Sequence, residues 1–325
     1  MTTQLVDTDL VDISITVFDR IEGNLSFDIY IKRAADTYSK LFAKGDPIDR
    51  DRLNRYEVIK GVELLYVLKS DYKQYLLYVE HIASHILNGP NKPTPDDLVD
   101  VIQDLANLTL VEIINTGRID EKSLQHAHLT VRGCIDLLAT DPKALIQIFQ
   151  MTNNHPYMIK HSLTTSIFSI LLGRMENLEG ERTLTTLGVG GLLHDIGMSM
   201  VPFDAEDKPD LNPDDWRAVK EHAQLGKRML ESLKSVPPEV RLIISQHHEQ
   251  PNGMGYPNGL RGKQIYYLAK IVAIADGFSA LVSKRPFRET PHTAAKALEL
   301  MQEDVGRYDP KMLDRFSKIF INAKN

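Results

Sequence analysis

The sequence predicts a mainly helical protein, a helical C-terminal domain preceded by a small α/β N-terminal domain, and three observations carry that prediction. From about residue 130 onward apolar residues recur at helical spacing almost without interruption. Residues 1 to about 80 instead mix short runs rich in Ile, Tyr, Val and Leu with one amphipathic helix. The chain has 325 residues, enough for about two domains of roughly 150 residues each. We therefore expect an N-terminal α/β domain with linker helices over 1–129, regulatory or partner-binding in role, and a helical domain over 130–325.

Taken in order, 27–32 (FDIYIK) and 63–68 (ELLYVL) read as strands. Between them, 49–60 places Leu53, Tyr56 and Ile59 at helical spacing after an Asp-rich start. The segment 72–79 (YKQYLLYV) fits a third strand or a helix start equally well by periodicity. Gly and Pro make 88–95 (NGPNKPTP) a loop, and 96–115 and 121–138 follow as helices. Further helices are expected at 142–152, 157–177, 184–194, 214–233, 239–248, 267–284 and 293–304, the sixth with a stripe of Ile271, Ile274, Ala275, Phe278 and Leu281. Pro237 and Pro238 open the helix that ends at the His247-His248 doublet, because proline suits a first helical turn. Asp309 then Pro310 marks an N-cap that opens the last helix, through Phe320.

Composition excludes several functions. Hydrophobic residues are 42% and charged residues 25%, neither disordered nor fibrous in balance. With 38 Lys and Arg against 44 Asp and Glu, the net charge of −6 argues against duplex nucleic acid, although a local basic patch can still hold one phosphorylated ligand. The N-terminus MTTQLVDTDLVD lacks a secretory pattern, and apolar runs such as 167–172 fall far short of the roughly 20 residues that span a bilayer. No membrane span and a cytoplasmic location are expected. The lone Cys134 can form neither an internal disulfide nor a Cys-rich zinc cage, so it reads as a small buried residue and any metal site must use His, Asp or Glu.

Eleven histidines occur, and His161, His194, His222, His247 and His248 all fall within predicted helices of the second half, with His155 and His292 outside them. His81, His85, His126 and His128 read as exposed helix residues. In GLLHDIGMSMV an apolar helix ends on His194 and Asp195 and breaks at Gly197. Adjacent helical positions point about 100° apart, yet a carboxylate has two oxygens, so Asp195 can reach a second metal while His194 binds a first. Asp276 lies on an otherwise apolar helix, where an acid must bind metal, pair with a neighbour or cap.

The order His161, His194-Asp195, His222, His247-His248, Asp276 resembles the HD superfamily of metal-dependent phosphohydrolases, and QPNGMGYPNGLRGKQI (250–265) resembles the signature of its HD-GYP branch, with Gly255-Tyr256-Pro257 as the tripeptide. The resemblance runs from about Thr130 to the C-terminus and includes IVAIADGFSALVSKRPFRE and GRYDPKMLDRF. It implies an HD-type helical domain and a cyclic di-GMP phosphodiesterase, a hydrolase of bacterial signalling that forms linear pGpG and then GMP. Two divalent ions are implied, iron before manganese, since an all-His and carboxylate site suits either better than structural zinc. His161, His194, Asp195 and Asp276 would hold the first, and Asp195 would bridge to a second held by His222, His247 and His248. Asp195 and Tyr256 are the implied catalytic residues. Arg285, Tyr256, Gly255 and Pro257 are the implied substrate contacts, with Lys284 and Arg288 as solvated neighbours of Arg285. Tyr256 is placed to stack on or hydrogen-bond the substrate, or to brace an irregular loop. Some relatives bind a third metal through a Glu four residues before the first His; here Tyr157 stands there, so a binuclear site is expected. Partners implied are cyclic di-GMP and diguanylate cyclases (GGDEF proteins) or other signalling proteins.

Three departures from the family pattern bear on turnover. Met198 replaces the usual lysine after HD-Ile-Gly, Ser279 replaces a second Asp after Asp276, and Gln250-Pro251-Asn252 replaces Arg-Trp-Asp. Loss of one electrostatic stabiliser costs on the order of a hundredfold or more in rate, so the alternative is a slow or inactive relative that binds cyclic di-GMP or a partner.

Overall fold

The computed structural model describes residues 9–14, 18, 23–34, 37–56, 62, 64–89, 93–140, 157–203, 210–285, 288 and 290–322. The helix expected at 142–152, and His155, lie outside them. The chain divides into two compact units, Met1–Leu105 and Ala106–Asn325.

The first unit carries an antiparallel sheet of β1 (Leu10–Ser14), β2 (Ile29–Ala34), β3 (Thr37–Phe42) and β4 (Leu64–Leu68) in the order β1-β4-β2-β3. Leu10 lies opposite Leu68 and Ile13 opposite Leu65, and side-chain alternation buries Leu65 and Val67 of β4. The two strands expected from sequence are the central pair. The two not expected, β1 and β3, are the edges, which bury less and so carry a weaker apolar alternation: in β3 only Leu41 and Phe42 are buried.

Helix α1 (Arg50–Asn54) lies at the start of the span expected at 49–60, of which 57–60 fall outside the described residues. The Asp49 side chain caps it, accepting from the Arg52 amide at 2.9 Å. The ambiguous segment after β4 is the start of α2 (Tyr72–Asn88). Its buried residues Tyr75, Val79, Ala83 and Leu87 recur every four positions, a stripe visible only across the whole helix and not within 72–79. Helix α3 (Pro95–Thr116) opens on a capping box in which Thr94 and Asp97 each accept from the other's amide, at 3.0 and 3.2 Å.

The second unit continues with α4 (Glu121–Thr140), α5 (Tyr157–Met175), α6 (Glu181–Leu192), α7 (Pro213–Lys220), α8 (His222–Met229), α9 (Pro238–Gln246), α10 (Tyr267–Val282), α11 (Ala294–Glu303) and α12 (Pro310–Asn322). Short 3-10 turns occupy Ile196–Met200 and Gly262–Gln264. The helix expected at 214–233 is two, α7 and α8, which meet at Glu221. Asp309 caps α12 as expected, accepting from the Lys311 and Met312 amides at 3.2 and 3.4 Å. Cys134 is buried in α4 as expected. His126, expected on the surface, is buried, because it shares a stripe of α4 with Ser123, Ala127 and Thr130; His81 and His85 are exposed as expected.

Helix α5 is buried around nearly its whole circumference between Ile159 and Gly173, so it forms the axis of this unit. Phe168 of α5, Phe278 of α10 and Phe316 of α12 meet edge to face with ring centroids 5.0 to 5.6 Å apart. Leu172, Ile271, Ile274 and Leu313 pack around them. That cluster locks the two helices that carry His161 and Asp276. Among the described residues no helix is long and apolar enough to cross a membrane.

Candidate active site

Five segments deliver the seven predicted residues to one place. His161 projects from the first half of α5, His194 and Asp195 follow the end of α6, His222 opens α8, His247 and His248 follow α9, and Asp276 comes from the middle of α10. The junction of the 3-10 turn with α8 requires glycine, since a Cβ on Gly197 would overlap the His222 carbonyl.

Asp195 stands between two groups. Its Oδ2 lies 3.1 Å from His194 Nε2 and 3.6 Å from His161 Nε2, while its Oδ1 lies 3.2 Å from His222 Nε2 and 3.6 Å from His247 Nε2. Asp276 Oδ1 is 3.2 Å from His161 Nε2, and its Oδ2 is 3.9 Å from His248 Nδ1. The donor atoms therefore form two clusters sharing Asp195, one with His161 and His194 and one with His222, His247 and His248, and a third group of His194, His247 and Asp276 links them, each within 4.8 Å.

The far side of each ring shows what the near side is for. His194, His222 and His247 place Nδ1 2.7 Å from the carbonyls of Gly191, Val219 and Ile244. A carbonyl only accepts, so each Nδ1 carries a proton and each ring turns its Nε2 inward. His161 is set the same way by Ser279, whose hydroxyl lies 3.1 Å from Nδ1 and donates to the His161 carbonyl at 3.3 Å. Nε2 consequently faces Nε2 at 3.1 Å (His161 with His194) and at 3.2 Å (His222 with His247). Such contacts repel unless a cation or a proton lies between them. A divalent ion fits both, and this donor set of His and carboxylate with outer hydrogen bonds in place is compatible with divalent metal binding.

The titration directions agree. Burial, assisted for His248 by the neighbouring His247, pushes His161, His247 and His248 below the ordinary histidine value, which keeps their lone pairs free at neutral pH. For His194 burial acts the same way but is outweighed by Asp195, so its value rises to about 9 and it is the ring that takes a proton when no cation is present. Burial alone would raise Asp195 and Asp276. The histidine charges and hydrogen bonds around them hold both well below the ordinary carboxylate value.

The loop after α9 is pinned from beneath. Buried Glu249 accepts from the amides of Asn258 and Leu260 at 2.7 and 2.8 Å, and Gln246 accepts from the Tyr266 amide at 2.7 Å. Gly255 is required where the loop crosses its own root, because a Cβ there would overlap the Gln250 amide and the His248 carbonyl. The Tyr256 ring then lies 4.7 Å from His248. Burial, with the charges of Asp195 and Asp276, raises its phenol, so it remains a protonated donor. Tyr256 lines the cleft above the His and Asp cluster; Gly255 and Pro257 set the path of the loop and do not line that cleft.

Arg285 also lines this cleft of about 1390 Å³. Its guanidinium lies 4.5 Å over the Tyr157 ring and bonds to the Tyr157 hydroxyl, and Tyr157 stacks on His161 at 5.2 Å. The Tyr157 side chain is therefore an aromatic bracket between His161 and Arg285. Arg288 is not the solvated neighbour expected: it is half-buried and donates to the Ala280 and Ser283 carbonyls at the end of α10. Lys284 is exposed. Sequence reasoning missed Ser279, Glu249 and Tyr157 as parts of the site. The readable signals were a Ser three residues after Asp276 and the Glu following the His doublet.

The fold and site define a helical domain whose helices converge on a paired His and Asp centre. Residues 137–312 match the HD domain family, and the chain belongs to that family; its Gly255-Tyr256-Pro257 tripeptide is the mark of the HD-GYP branch. The chain is similar to the cyclic di-GMP phosphodiesterase PA4108 of Pseudomonas aeruginosa, 34% identical over 178 residues that cover 54% of this chain and 42% of that protein. It is 32% identical to a cyclic di-GMP phosphodiesterase of Thermotoga maritima, over 54% of this chain and 48% of that protein. The chain thus spans about half the length of these relatives. The solved structure of Bd1817, an HDG"Y"P protein from Bdellovibrio bacteriovorus, matches with a TM-score of 0.70 at 23% identity, over 96% of this chain and 100% of that one, a likeness of fold.

Proposed function

We propose that the chain is a metal-dependent phosphodiesterase that hydrolyses cyclic di-GMP to pGpG and on to GMP at a binuclear centre, with 130–325 as the catalytic domain and 1–129 as a regulatory or partner-binding domain. The observation that carries this reading is the Asp195 carboxylate, whose two oxygens face two separate sets of inward-turned Nε2 atoms. His161, His194, Asp195 and Asp276 would hold one ion, and Asp195, His222, His247 and His248 the other, iron before manganese. When bound, such ions lower the pKa of a water and neutralise charge on the reacting phosphate. Arg285 presents a planar fork, held by Tyr157, to phosphate oxygens. Tyr256, kept protonated, donates a hydrogen bond to a phosphate or leaving oxygen.

The receptor alternative rests on Met198 and Ser279. Ser279 tells against it, because its hydroxyl orients His161. The deciding experiment uses protein purified without chelator: metal content per chain, then chromatography of cyclic di-GMP products over time. About two metals with pGpG appearing is the expected result. Metal-loaded protein that binds the dinucleotide and leaves it intact through long incubation would make it a receptor instead. Arg285→Ala should raise KM by about tenfold or more while metal content stays at its wild-type level.

A further inference from the structure

The chain has one tryptophan, Trp216, and it sits on α7, a helix with no buried side chain. It is 50% exposed, so it does not anchor a core. It lines the same cleft as Tyr256, Met198 and Lys220. Trp216 and Lys220 are four residues apart and share one face of the helix. The Lys220 ammonium lies 5.5 Å over the Tyr256 ring, which itself lies 4.7 Å from His248. A wall therefore runs outward from the metal ligands: His248, Tyr256, Lys220, Trp216. Within α7 the rise from Lys220 to Trp216, four residues, is about 6 Å.

Lys220 also answers the departure at Met198. The 3-10 turn that carries Met198 abuts the start of α8 through Gly197, and Lys220 ends α7 two residues before His222. Both side chains reach the same cleft, so the cation absent from one wall is present on the adjoining one.

We propose that Trp216 and Lys220 form the substrate-recognition wall of this site, the indole stacking on a purine base of the nucleotide whose phosphate lies at the His and Asp centre and the ammonium contacting that phosphate. This rests on the cyclic dinucleotide reading above. Stacking of a base on an aromatic side chain is strong enough for its loss to weaken binding by about tenfold or more.

Because Trp216 is the only tryptophan, fluorescence excited selectively at the indole, at wavelengths too long for tyrosine, reports on it alone. The metal-loaded full chain is titrated with a hydrolysis-resistant phosphorothioate analogue of cyclic di-GMP, with binding measured independently by equilibrium dialysis. The wall predicts quenching that tracks the dialysis isotherm, binding about tenfold or more weaker in Trp216→Leu, and near-recovery in Trp216→Phe. Lys220→Gln should raise KM more than it lowers kcat, with recovery in Lys220→Arg. Normal dialysis binding with unchanged fluorescence and an unaffected Trp216→Leu overturns the wall and leaves the phosphodiesterase reading standing. Absence of both binding and hydrolysis in metal-loaded wild type overturns that reading and the wall with it.

Discussion

The two units bury different chemistry. Among the described residues, the buried polar and charged side chains all belong to the second unit, from Thr109 onward, whereas the first unit buries hydrophobic residues beneath its sheet and α2. Burying polar groups costs free energy unless each finds a partner. The second unit meets that cost with an aromatic cluster next to the site. Phe278 is two residues from Asp276, and Phe168 is two helical turns from His161. The comparison teaches that the helical unit is built to tolerate a costly centre, while the sheet unit is an ordinary apolar core with charges at its surface.

The comparison breaks first at Asp195. Asp195→Asn should retain the helical fold by circular dichroism, lose most bound metal by elemental analysis, and lower hydrolysis by at least about a hundredfold. Full metal occupancy in that variant would show that the two donor sets do not depend on a shared carboxylate. Gly197→Ala comes next. The added methyl must displace the His222 carbonyl, so we expect a stability loss of about 1–3 kcal/mol in denaturant melts together with reduced metal content. A melt equal to wild type would mean that the junction before α8 is softer than it looks.

Ser279→Ala sharpens the comparison by removing a polar partner without touching a proposed ligand. Metal affinity, followed by competition with a chelator, should fall about tenfold to a hundredfold, because His161 loses the group that fixes its tautomer. The smallest effect belongs to the sheet unit. For Asp28, burial favours the neutral acid but is outweighed by Lys40 and the Lys44 amide, which hold the carboxyl below its ordinary 3.8. Its contribution is complete above that unfolded value and fades as pH falls through the lower folded one. Asp28→Asn should therefore cost at most about 1 kcal/mol at neutral pH, and the difference from wild type should vanish in acid.

Much of this was legible in the chain. Helix starts at Asp309-Pro310 and Pro237-Pro238 and the central strands were marked by neighbours within a few residues, and the seven His and Asp positions by their order along the chain and the family resemblance it carries. The edge strands β1 and β3 were not, because an edge needs less apolar alternation to persist. Helix α2 was ambiguous over eight residues and clear over seventeen.

The sequence by itself determined which donor types are available and where most helices start and stop, whereas the need for glycine at 197 comes from the packed His222 carbonyl. Donor types and helix ends depend on side-chain chemistry and on local backbone limits, which a short window contains. Only the tertiary structure decided which rings face each other, that Asp195 divides its oxygens between two groups, and that Ser279 and Tyr157 serve the site. Those pairings join residues 118 and 128 positions apart, as in His161 with Ser279 and Tyr157 with Arg285. Packing of α5 against α6 and α10 sets such distances, and packing is a property of the assembled core rather than of any stretch of chain.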